Sequence, residues 1–495
     1  MAAFRSETEL ENKVWLFRVF FLAIALFFAL LCLYGIGNYW QWGHDGYMGA
    51  SMSQAARNSL RFGVVGQAWQ YFGFEPPKPA DFYTNHPLLL NFHLIVAHTL
   101  FGFSEWAARL VPLSYTLALF VLLWFVVRHF YGQLTALFAV SIYALIPQDV
   151  IFAHLVSHEQ GGMFWCLAAL GVHLYWHERQ RATRRAMLSF ACLCMAMQYD
   201  WPGYYLAFFI WLHQLGLGFA LWKKHRQWPF AWSLALVLAV LVWINAFVFF
   251  GWIYHLKGGL GEMIASFRMR SQPLDWKHYL ESQWQWSKDL RGWLPHVLLT
   301  SWLLFRLLRL AKGFVSRDMI PFSFLLIQLV QSTLFKQAGS LHAYWTLYLN
   351  IAIAVGGAEL LYALSLAAQR WFRFPGERSV LLLVVGLFVF QAPFTVRQLR
   401  WAVSTGHASY VEPYPEQFDK AMWFKELGKR YGRHTHYFID RSLGDVRIEL
   451  RYYLDAPNED VHRFILPVAK KQSPGKNVLL IDKQAVRNKK VLDSF

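Results

Sequence analysis

Long apolar stretches separated by short polar loops dominate this chain. Windows of about 20 residues, the length that crosses a bilayer as a helix, predict membrane spans at 14–37, 107–127, 133–149, 160–177, 186–199, 203–221, 229–254, 293–311, 319–335, 343–368 and 379–393. A further apolar stretch, 87–102, is shorter and carries four polar side chains, among them His93 and His98. It is predicted to be a helix that lies at the membrane interface, because of the loop charges described next.

The charges of the loops fix both this assignment and the orientation. With 87–102 at the interface, the loops on one side hold 17 Lys and Arg in 56 residues, against 10 in 128 residues on the other side. The side that is richer in basic residues faces the cytoplasm. The chain is therefore predicted to have about 11 spans, with the first loop, 38–106, and the C-terminal region on the outer side.

Composition agrees with a membrane protein and narrows its partners. Of 495 residues 56% are apolar and only 16% are charged. The net charge of +17 resides mostly in loops between spans, so it indicates orientation in a membrane and no nucleic-acid partner is expected. All four cysteines fall inside apolar spans, which predicts neither a disulfide framework nor a thiolate metal site. The first apolar run lacks a small-residue cleavage site and is predicted to be a retained helix.

The pattern changes after residue 394. Charge rises, and short apolar segments such as 437–439 and 478–481 alternate with turn-like stretches. We therefore predict a transmembrane domain over 1–394 and a small soluble domain over 395–495 on the outer face. The predicted fold class is an all-α polytopic membrane protein, with interfacial helices in the first outer loop and a small C-terminal α/β extramembrane domain.

This topology places ionisable residues from distant parts of the chain on one face of the membrane. They are Asp45, His86, Glu159, Asp200 and His342. Ionisable groups at such a depth are functional-site candidates by default. Four of them also have a structural alternative: Asp45 and Asp200 as helix caps, Glu159 as a carboxylate that suits a helix N-terminus, and His86 as a turn residue before a proline.

Two other polar groups of the outer face are ambiguous. The segment 47–62 predicts an amphipathic helix whose polar face holds Gln54, Arg57, Asn58 and Arg61. Its arginines suit a sugar phosphate or, equally, lipid headgroups. The loop 255–293 combines arginines with tryptophans, a composition typical of sugar and phosphate sites and also of an interfacial aromatic belt.

Several sequence pieces, taken in order, resemble the GT-C superfamily of integral-membrane glycosyltransferases. They are HDGYMGASMSQAARNSLRFG after the first span, YTNHPLLLNF, SEWAARLVPLSYTLAL, HLVSHEQGGMFW, DWPGYY and HAYWTLYL. The similarity is greatest to the branch of dolichyl-phosphate-mannose protein mannosyltransferases and the bacterial aminoarabinose transferase of lipid A. It covers roughly residues 14–370.

The resemblance implies an inverting enzyme that moves a sugar from a polyprenyl-phosphate donor to an acceptor hydroxyl or phosphate at the outer face. Asp45 matches the catalytic carboxylate of the family's first loop, and Glu159 matches the acidic position of its second outer loop. His86 falls where relatives carry a basic residue that contacts the lipid phosphate. The chain departs from many relatives at Gly46, where they have Glu, and at His86-Pro87-Leu88, where they have a lysine or a second proline.

The predicted site therefore has three groups of residues. Asp45 and Glu159 are the catalytic carboxylates, with Asp45 as the base. His86, Arg57 and Lys336 bind the donor phosphate. The side chains predicted to bind substrate are His44, Asn85, His158, Asp200, His342 and Tyr344.

No cofactor and no metal ligand set is predicted, although a weakly bound divalent cation is an alternative role for Glu159. The expected partners are the lipid-linked sugar donor, a glycan, lipid or protein acceptor, and the membrane. The expected location is a bacterial inner membrane with the site on the periplasmic or extracellular side. Two other functions are open at this point: a lipid or glycan transporter, and a membrane scaffold with a binding C-terminal domain. Charge-poor spans disfavour the transporter, which usually has polar groups near the midplane.

Overall fold

A computed structural model gives the fold. It describes residues 14–40, 44–63, 66–73, 75–179, 183–226, 228–272, 275–309, 315–372, 376–405, 423–430, 436–440, 451–453, 458–461 and 478–481.

Nearly all of the described structure up to residue 405 is helical. The α-helices are Val14–Leu33, His44–Phe62, Leu89–Phe101, Glu105–Tyr131, Gln133–Leu145, Pro147–Ile151, Glu159–Arg179, Thr183–Tyr199, Pro202–His225, Phe230–Lys257, Gly261–Arg270, Trp276–Arg291, Trp293–Leu308, Met319–Leu334, Lys336–Leu341, Tyr348–Phe372 and Gly376–Thr405. Short 3₁₀ turns occupy Pro79–Asp81, Ser316–Asp318 and Ala343–Thr346. Most predicted spans fall on one of these helices, whereas 133–149 covers Gln133–Leu145 and the start of Pro147–Ile151, and 343–368 begins with the turn Ala343–Thr346.

Five described stretches are long and apolar enough to cross a membrane: Glu105–Tyr131, Pro202–His225, Phe230–Lys257, Ala343–Trp371 and Leu382–Val403. Shorter apolar helices, such as Gln133–Leu145 and Trp293–Leu308, accompany them. These helices are those of a multi-pass membrane protein, whereas the number of about 11 spans stays a prediction.

The helices pack into a bundle with an apolar core and an apolar exterior. Glu159–Arg179 packs along Thr183–Tyr199, and Tyr348–Phe372 packs along Gln133–Leu145. Leu22, Leu26 and Leu30 recur every fourth residue of the first helix and are each about 60% exposed (62%, 62% and 61%). Residues at this spacing share one helix face, so this face is suited to lipid contact.

Part of the polar face of the helix His44–Phe62 is occupied by contacts within the protein. Asn58 Nδ2 donates to the carbonyls of Ala68 and Tyr71, each at 2.7 Å, and Gln54 Nε2 also donates to the Tyr71 carbonyl. Gln54, Arg57 and Asn58 are all buried, whereas Arg61 is half-buried. The segment 66–73 therefore packs on this face through Gln54 and Asn58, and the role of its arginines at a sugar phosphate or at lipid headgroups stays a prediction.

The segment 87–102 forms the helix Leu89–Phe101, which packs against His44–Phe62 and Glu105–Tyr131. One face is buried, with Leu90 and Leu94, while Phe92 and Val96 on the opposite face are exposed. A one-sided apolar exposure suits a helix at the membrane interface, and that location stays a prediction.

The predicted domain boundary at residue 394 falls inside a helix. The helix Gly376–Thr405 runs through the predicted domain boundary at 394, so no break in structure falls there. Beyond it, strand His436–Asp440 pairs in parallel with Asn458–Val461 on one side and Val478–Ile481 on the other. Most of 395–495 lies outside the described residues, so the two-domain division and the α/β domain stay predictions.

Candidate active site

Aromatic and histidine side chains from separate loops meet at the N-terminus of the helix His44–Phe62. The His44 ring lies edge-on to Tyr344, with ring centroids 5.2 Å apart, and to His342 at 5.3 Å. Tyr344 is buried, and the nearby carboxylates of Glu159 and Asp200 act on it electrostatically. These contacts connect the loop 38–106 to residues about 300 positions away in sequence.

A second set of contacts surrounds His86. Its Nδ1 lies 3.0 Å from Asp200 Oδ1, and its ring stacks on that of His158 at a centroid distance of 4.4 Å. Asp200 Oδ1 also accepts a hydrogen bond from the Trp201 backbone N–H. Burial and the neighbouring His86 lower the pKa of His158 well below its ordinary value. His158 is therefore a neutral hydrogen-bonding group at neutral pH.

Glu159 is the ionisable group with the strongest sign of a missing ligand. Glu159 is buried, and its Oε2, like Asp200 Oδ2 and His158 Nε2, has no hydrogen-bond partner among the described residues. Burial, and secondarily the charge of Asp200, raises the pKa of the Glu159 carboxyl. Unsatisfied buried polar atoms are costly, and three that converge from two loops indicate a place for a polar ligand.

Two glycines allow Glu159 and Asp200 to approach one another. A Cβ on Gly161 would lie 2.2 Å from the Tyr199 ring, and one on Gly162 would lie 2.3 Å from the Tyr348 hydroxyl and 3.5 Å from Asp200 Cβ. The helix that begins at Glu159 can therefore lie directly against the turn that carries Asp200 only because these positions lack side chains.

Arg270 is a site residue that sequence reasoning missed. Arg270 and Asn85 lie near the Tyr83 hydroxyl, and the charge of Arg270 partly offsets the rise that burial causes in the pKa of Tyr83. The pKa of His342 falls to about 3, because of burial first and then of His44, Arg270 and His86. Arg270 thus places a permanent positive charge next to the rings of His342, His86 and His44, and a fixed cation suits an anion. Only the basic and aromatic composition of the loop 255–293 hinted at this cation.

Asp45 has a partner that the motif analysis did not identify. Arg109 Nη2 forms an ion pair with Asp45 Oδ2, while Arg109 Nε lies 3.4 Å from Oδ1. Both side chains are buried. Arg109 Nη1 donates to the carbonyls of Ile36, at 2.9 Å, and Asn38. A guanidinium fork on both oxygens orients a carboxylate and favours its charged form.

Two predicted phosphate-binding residues lie outside this group of contacts. Arg57 Nη1 donates to Gln54 Oε1 and to the Tyr452 carbonyl, and its guanidinium lies over the Tyr452 ring at 4.3 Å. Lys336 Nζ lies 3.7 Å from the centroid of the Trp276 ring. The structure thus brings together His86, Glu159 and the six predicted substrate-binding residues, and it gives Arg57 and Lys336 other neighbours.

A buried hydrogen-bond network holds the loop that carries His342 and Tyr344. Gln148 Nε2 donates to the Ala343 carbonyl and to Thr346 Oγ1, each at 2.8 Å. Arg291 donates to the Thr346 carbonyl at 2.6 Å and to Asn350 Oδ1 at 2.7 Å. Because buried networks of this kind rigidify their surroundings, the loop has a fixed position relative to the bundle.

Among the residues that the structure describes, no group of three or more His, Cys, Asp or Glu side chains is placed to hold a metal ion.

The raised pKa of Glu159 predicts a measurable dependence of stability on pH. In the interval between the pKa of an exposed glutamate, ~4.3, and the raised value, the folded protein binds a proton that the unfolded chain has released. Stability therefore falls as pH rises through this interval, by at most about 1.4 kcal/mol per pH unit. Glu159→Gln removes the titrating group, so unfolding in detergent should become less sensitive to rising pH.

Glu281→Gln is the matched control, because Glu281 is exposed. This change should leave the slope of unfolding free energy against pH as in the wild type. Equal slopes in the wild type and in Glu159→Gln would contradict the raised pKa of this buried carboxyl.

One protein family matches part of the chain. Residues 85–252 match the family of dolichyl-phosphate-mannose-protein mannosyltransferases. No curated protein sequence matches the chain.

Solved structures match nearly its full length. ArnT from Cupriavidus metallidurans bound to undecaprenyl phosphate is 14% identical with a TM-score of 0.58, over 95% of this chain and 94% of that one. The oligosaccharyltransferase AglB from Archaeoglobus fulgidus, in complex with an inhibitory peptide and a dolichol-phosphate, is 12% identical with a TM-score of 0.58. The match covers 92% of this chain but only 65% of AglB.

The sequence pattern of one family over residues 85–252 and the shared fold over nearly the whole chain thus confirm its resemblance to the GT-C superfamily of integral-membrane glycosyltransferases.

Proposed function

We propose that this protein transfers a sugar from a polyprenyl-phosphate donor to an acceptor at the outer face of the membrane, with inversion at the anomeric carbon. The observation that carries the proposal is the convergence of unpartnered Glu159 and Asp200 oxygens with the cationic Arg270 in one buried group of residues. The ligands named for ArnT and AglB, undecaprenyl phosphate and dolichol-phosphate, support the donor class.

The donor phosphate is assigned to Arg270 and His86. Both act electrostatically on the same imidazole, that of His342, and Arg270 is half-buried at the end of a short helix. Arginine binds phosphate with paired hydrogen bonds. As the anomeric C1–O bond breaks, the leaving phosphate gains negative charge, which a fixed cation stabilises most in the transition state.

Asp45 is assigned as the base. An acceptor oxygen attacks C1, the C1–O bond to the phosphate breaks, its electron pair leaves with the polyprenyl phosphate, and the acceptor proton passes to the Asp45 carboxylate. Arg109 orients that carboxylate through their ion pair, and a carboxylate oxygen can accept more than one hydrogen bond. Attack opposite the leaving phosphate inverts the anomeric centre.

Glu159, Asp200 and His158 are assigned to orientation of the acceptor or the sugar, since their free polar atoms point to a missing ligand. His44, His342 and Tyr344 are assigned to binding of the acceptor, because their rings contact one another and His44 directly precedes Asp45 in the chain. Asn85 contributes through the Tyr83 hydroxyl.

The wider setting follows from the topology. The loops that are richer in Lys and Arg are assigned to the cytoplasm. The residues of the proposed site and the C-terminal region then lie on the periplasmic or extracellular side of a bacterial inner membrane. A donor whose lipid tail stays in the bilayer presents its sugar at that surface, where Asp45 lies.

Release of polyprenyl phosphate tests the proposal. Purified protein in lipid nanodiscs is given polyprenyl-phosphate donors that carry different radiolabelled sugars, together with a lipid or glycan acceptor fraction. The proposal predicts acceptor labelling matched by release of free polyprenyl phosphate. A transporter would instead move intact donor between the leaflets of a vesicle without release, and that outcome would refute the proposal.

A further inference from the structure

Two tyrosines of the C-terminal region, Tyr452 and Tyr453, contact residues that hold Arg109, the ion-pair partner of Asp45. The Tyr453 hydroxyl accepts a hydrogen bond from the Trp40 backbone N–H at 2.6 Å and donates one to Glu105 Oε1 at 2.7 Å. The Tyr452 ring lies edge-on to the Trp40 ring, with centroids 6.4 Å apart. Two residues beyond position 450 are therefore packed on the chain that immediately precedes Asp45.

Both partners of the Tyr453 hydroxyl support Arg109. The Trp40 ring lies under the guanidinium of Arg109, with Cζ 4.3 Å from the ring. Glu105 is in the first turn of the helix Glu105–Tyr131, one turn before Arg109 on the same helix face. One hydroxyl therefore fixes the aromatic surface beneath Arg109 and the helix start that carries it.

Trp40 has little freedom to move without displacing these groups. It is 1% exposed. A Cβ on Gly49 would lie 2.1 Å from the Trp40 ring, so the ring is pressed directly against the backbone of the helix that carries Asp45. A shift of Trp40 is therefore transmitted to Arg109 on one side and to the Asp45 helix on the other.

We infer that Tyr453 is a positioning residue for the base: through Trp40 and Glu105 it holds the Arg109 guanidinium that orients Asp45, so that docking of the C-terminal region sets the rate of transfer. The inference rests on the proposed function, and it deepens that function by giving the C-terminal region a part in catalysis. Tyr453 itself contacts neither substrate nor Asp45.

Tyr453→Phe is the direct test, since it removes the hydroxyl and keeps the ring. The buried Trp40 N–H and Glu105 carboxylate then lose a partner, and Asp45 loses part of its orientation. Small misplacements of catalytic groups cost up to about 100-fold in rate. We expect kcat to fall on the order of 10- to 100-fold, with the KM for the lipid donor unchanged, because the phosphate-binding residues are not touched.

The matched control is Tyr71→Phe. Tyr71 lies in the loop 38–106, as Trp40 and Asp45 do, and its hydroxyl donates to the Glu75 carbonyl at the surface. Removal of this hydroxyl should therefore leave kcat at the wild-type level. A double-mutant cycle with Trp40→Phe distinguishes positioning from general loss of stability. If Tyr453 acts through Trp40, its replacement should add little in the Trp40→Phe background. Full additivity, or a Tyr453→Phe effect confined to the donor KM, would overturn the inference.

A spectroscopic readout separates failure of this inference from failure of the proposed function. In fluorotryptophan-labelled protein, the ¹⁹F resonance assigned by its absence in Trp40→Phe should shift in Tyr453→Phe and stay in place in Tyr71→Phe. An unmoved resonance overturns the contact itself, whether or not transfer is detected. A moved resonance without any transferase activity in the wild type would refute the proposed function and with it the catalytic part of the inference.

Discussion

Replacing Asp45 by Asn is expected to lower the rate of sugar transfer by about 10²- to 10⁴-fold, the usual contribution of a positioned base. The amide keeps the shape of the side chain but cannot accept the proton of the acceptor hydroxyl, and it loses the ion pair with Arg109. The measurement is the initial rate of polyprenyl-phosphate release at saturating donor, together with the amount of folded protein obtained.

The control makes the same chemical change at an exposed position. Asp275 caps the helix Trp276–Arg291, where its side chain accepts from the Lys277 N–H, and Asn serves equally well as a helix cap. Asp275→Asn should therefore transfer at the wild-type rate. Undiminished release by Asp45→Asn would remove the assigned base. Arg109→Lys should show an intermediate loss, since lysine keeps the charge but not the paired geometry.

Replacing Arg270 by Gln should weaken donor binding by about 10- to 100-fold. A hydrogen bond to a charged group contributes about 1.5–3 kcal/mol, and each ~1.4 kcal/mol is tenfold in affinity. We also expect a lower kcat, because the cation stabilises the phosphate most when its bond to the sugar is breaking. Titration with a non-hydrolysable donor analogue and steady-state kinetics separate the two effects.

Arg268 supplies the control on the same helix. It lies two residues earlier and is exposed, whereas Arg270 is half-buried, so Arg268→Gln should bind donor like the wild type. An equal loss in both variants would indicate only a general attraction of anions by this basic helix, and the assignment of Arg270 to the phosphate would then be wrong.

The sequence pattern was sufficient to locate the helices and to group polar side chains from distant loops. Apolar windows locate helices well because the requirement for internal backbone hydrogen bonds leaves helices as the main solution in lipid. The convergence of His86, Glu159, Asp200 and His342 followed from counting loops on the outer face, and the contacts of these side chains agree with it.

Partners of the charged residues were beyond the sequence. Arg109 lies in the apolar helix Glu105–Tyr131. Nothing in the neighbouring sequence indicates that its guanidinium pairs with Asp45, 64 positions away. The contacts of Arg57 were also beyond the sequence. A basic helix face indicates an anion, but residues 66–73 and Tyr452 cover this face and supply carbonyl oxygens.

The position of a bound lipid phosphate is the decisive test of the proposal that Arg270 and His86 bind the donor phosphate. A cryo-electron-microscopy structure in nanodiscs with added polyprenyl phosphate should show the phosphate within hydrogen-bonding distance, about 3 Å, of Arg270 and His86, on the side of the membrane that holds Asp45 and Glu159. A phosphate bound at another helix end, or Asp45 and Glu159 found at opposite membrane surfaces, would contradict the account.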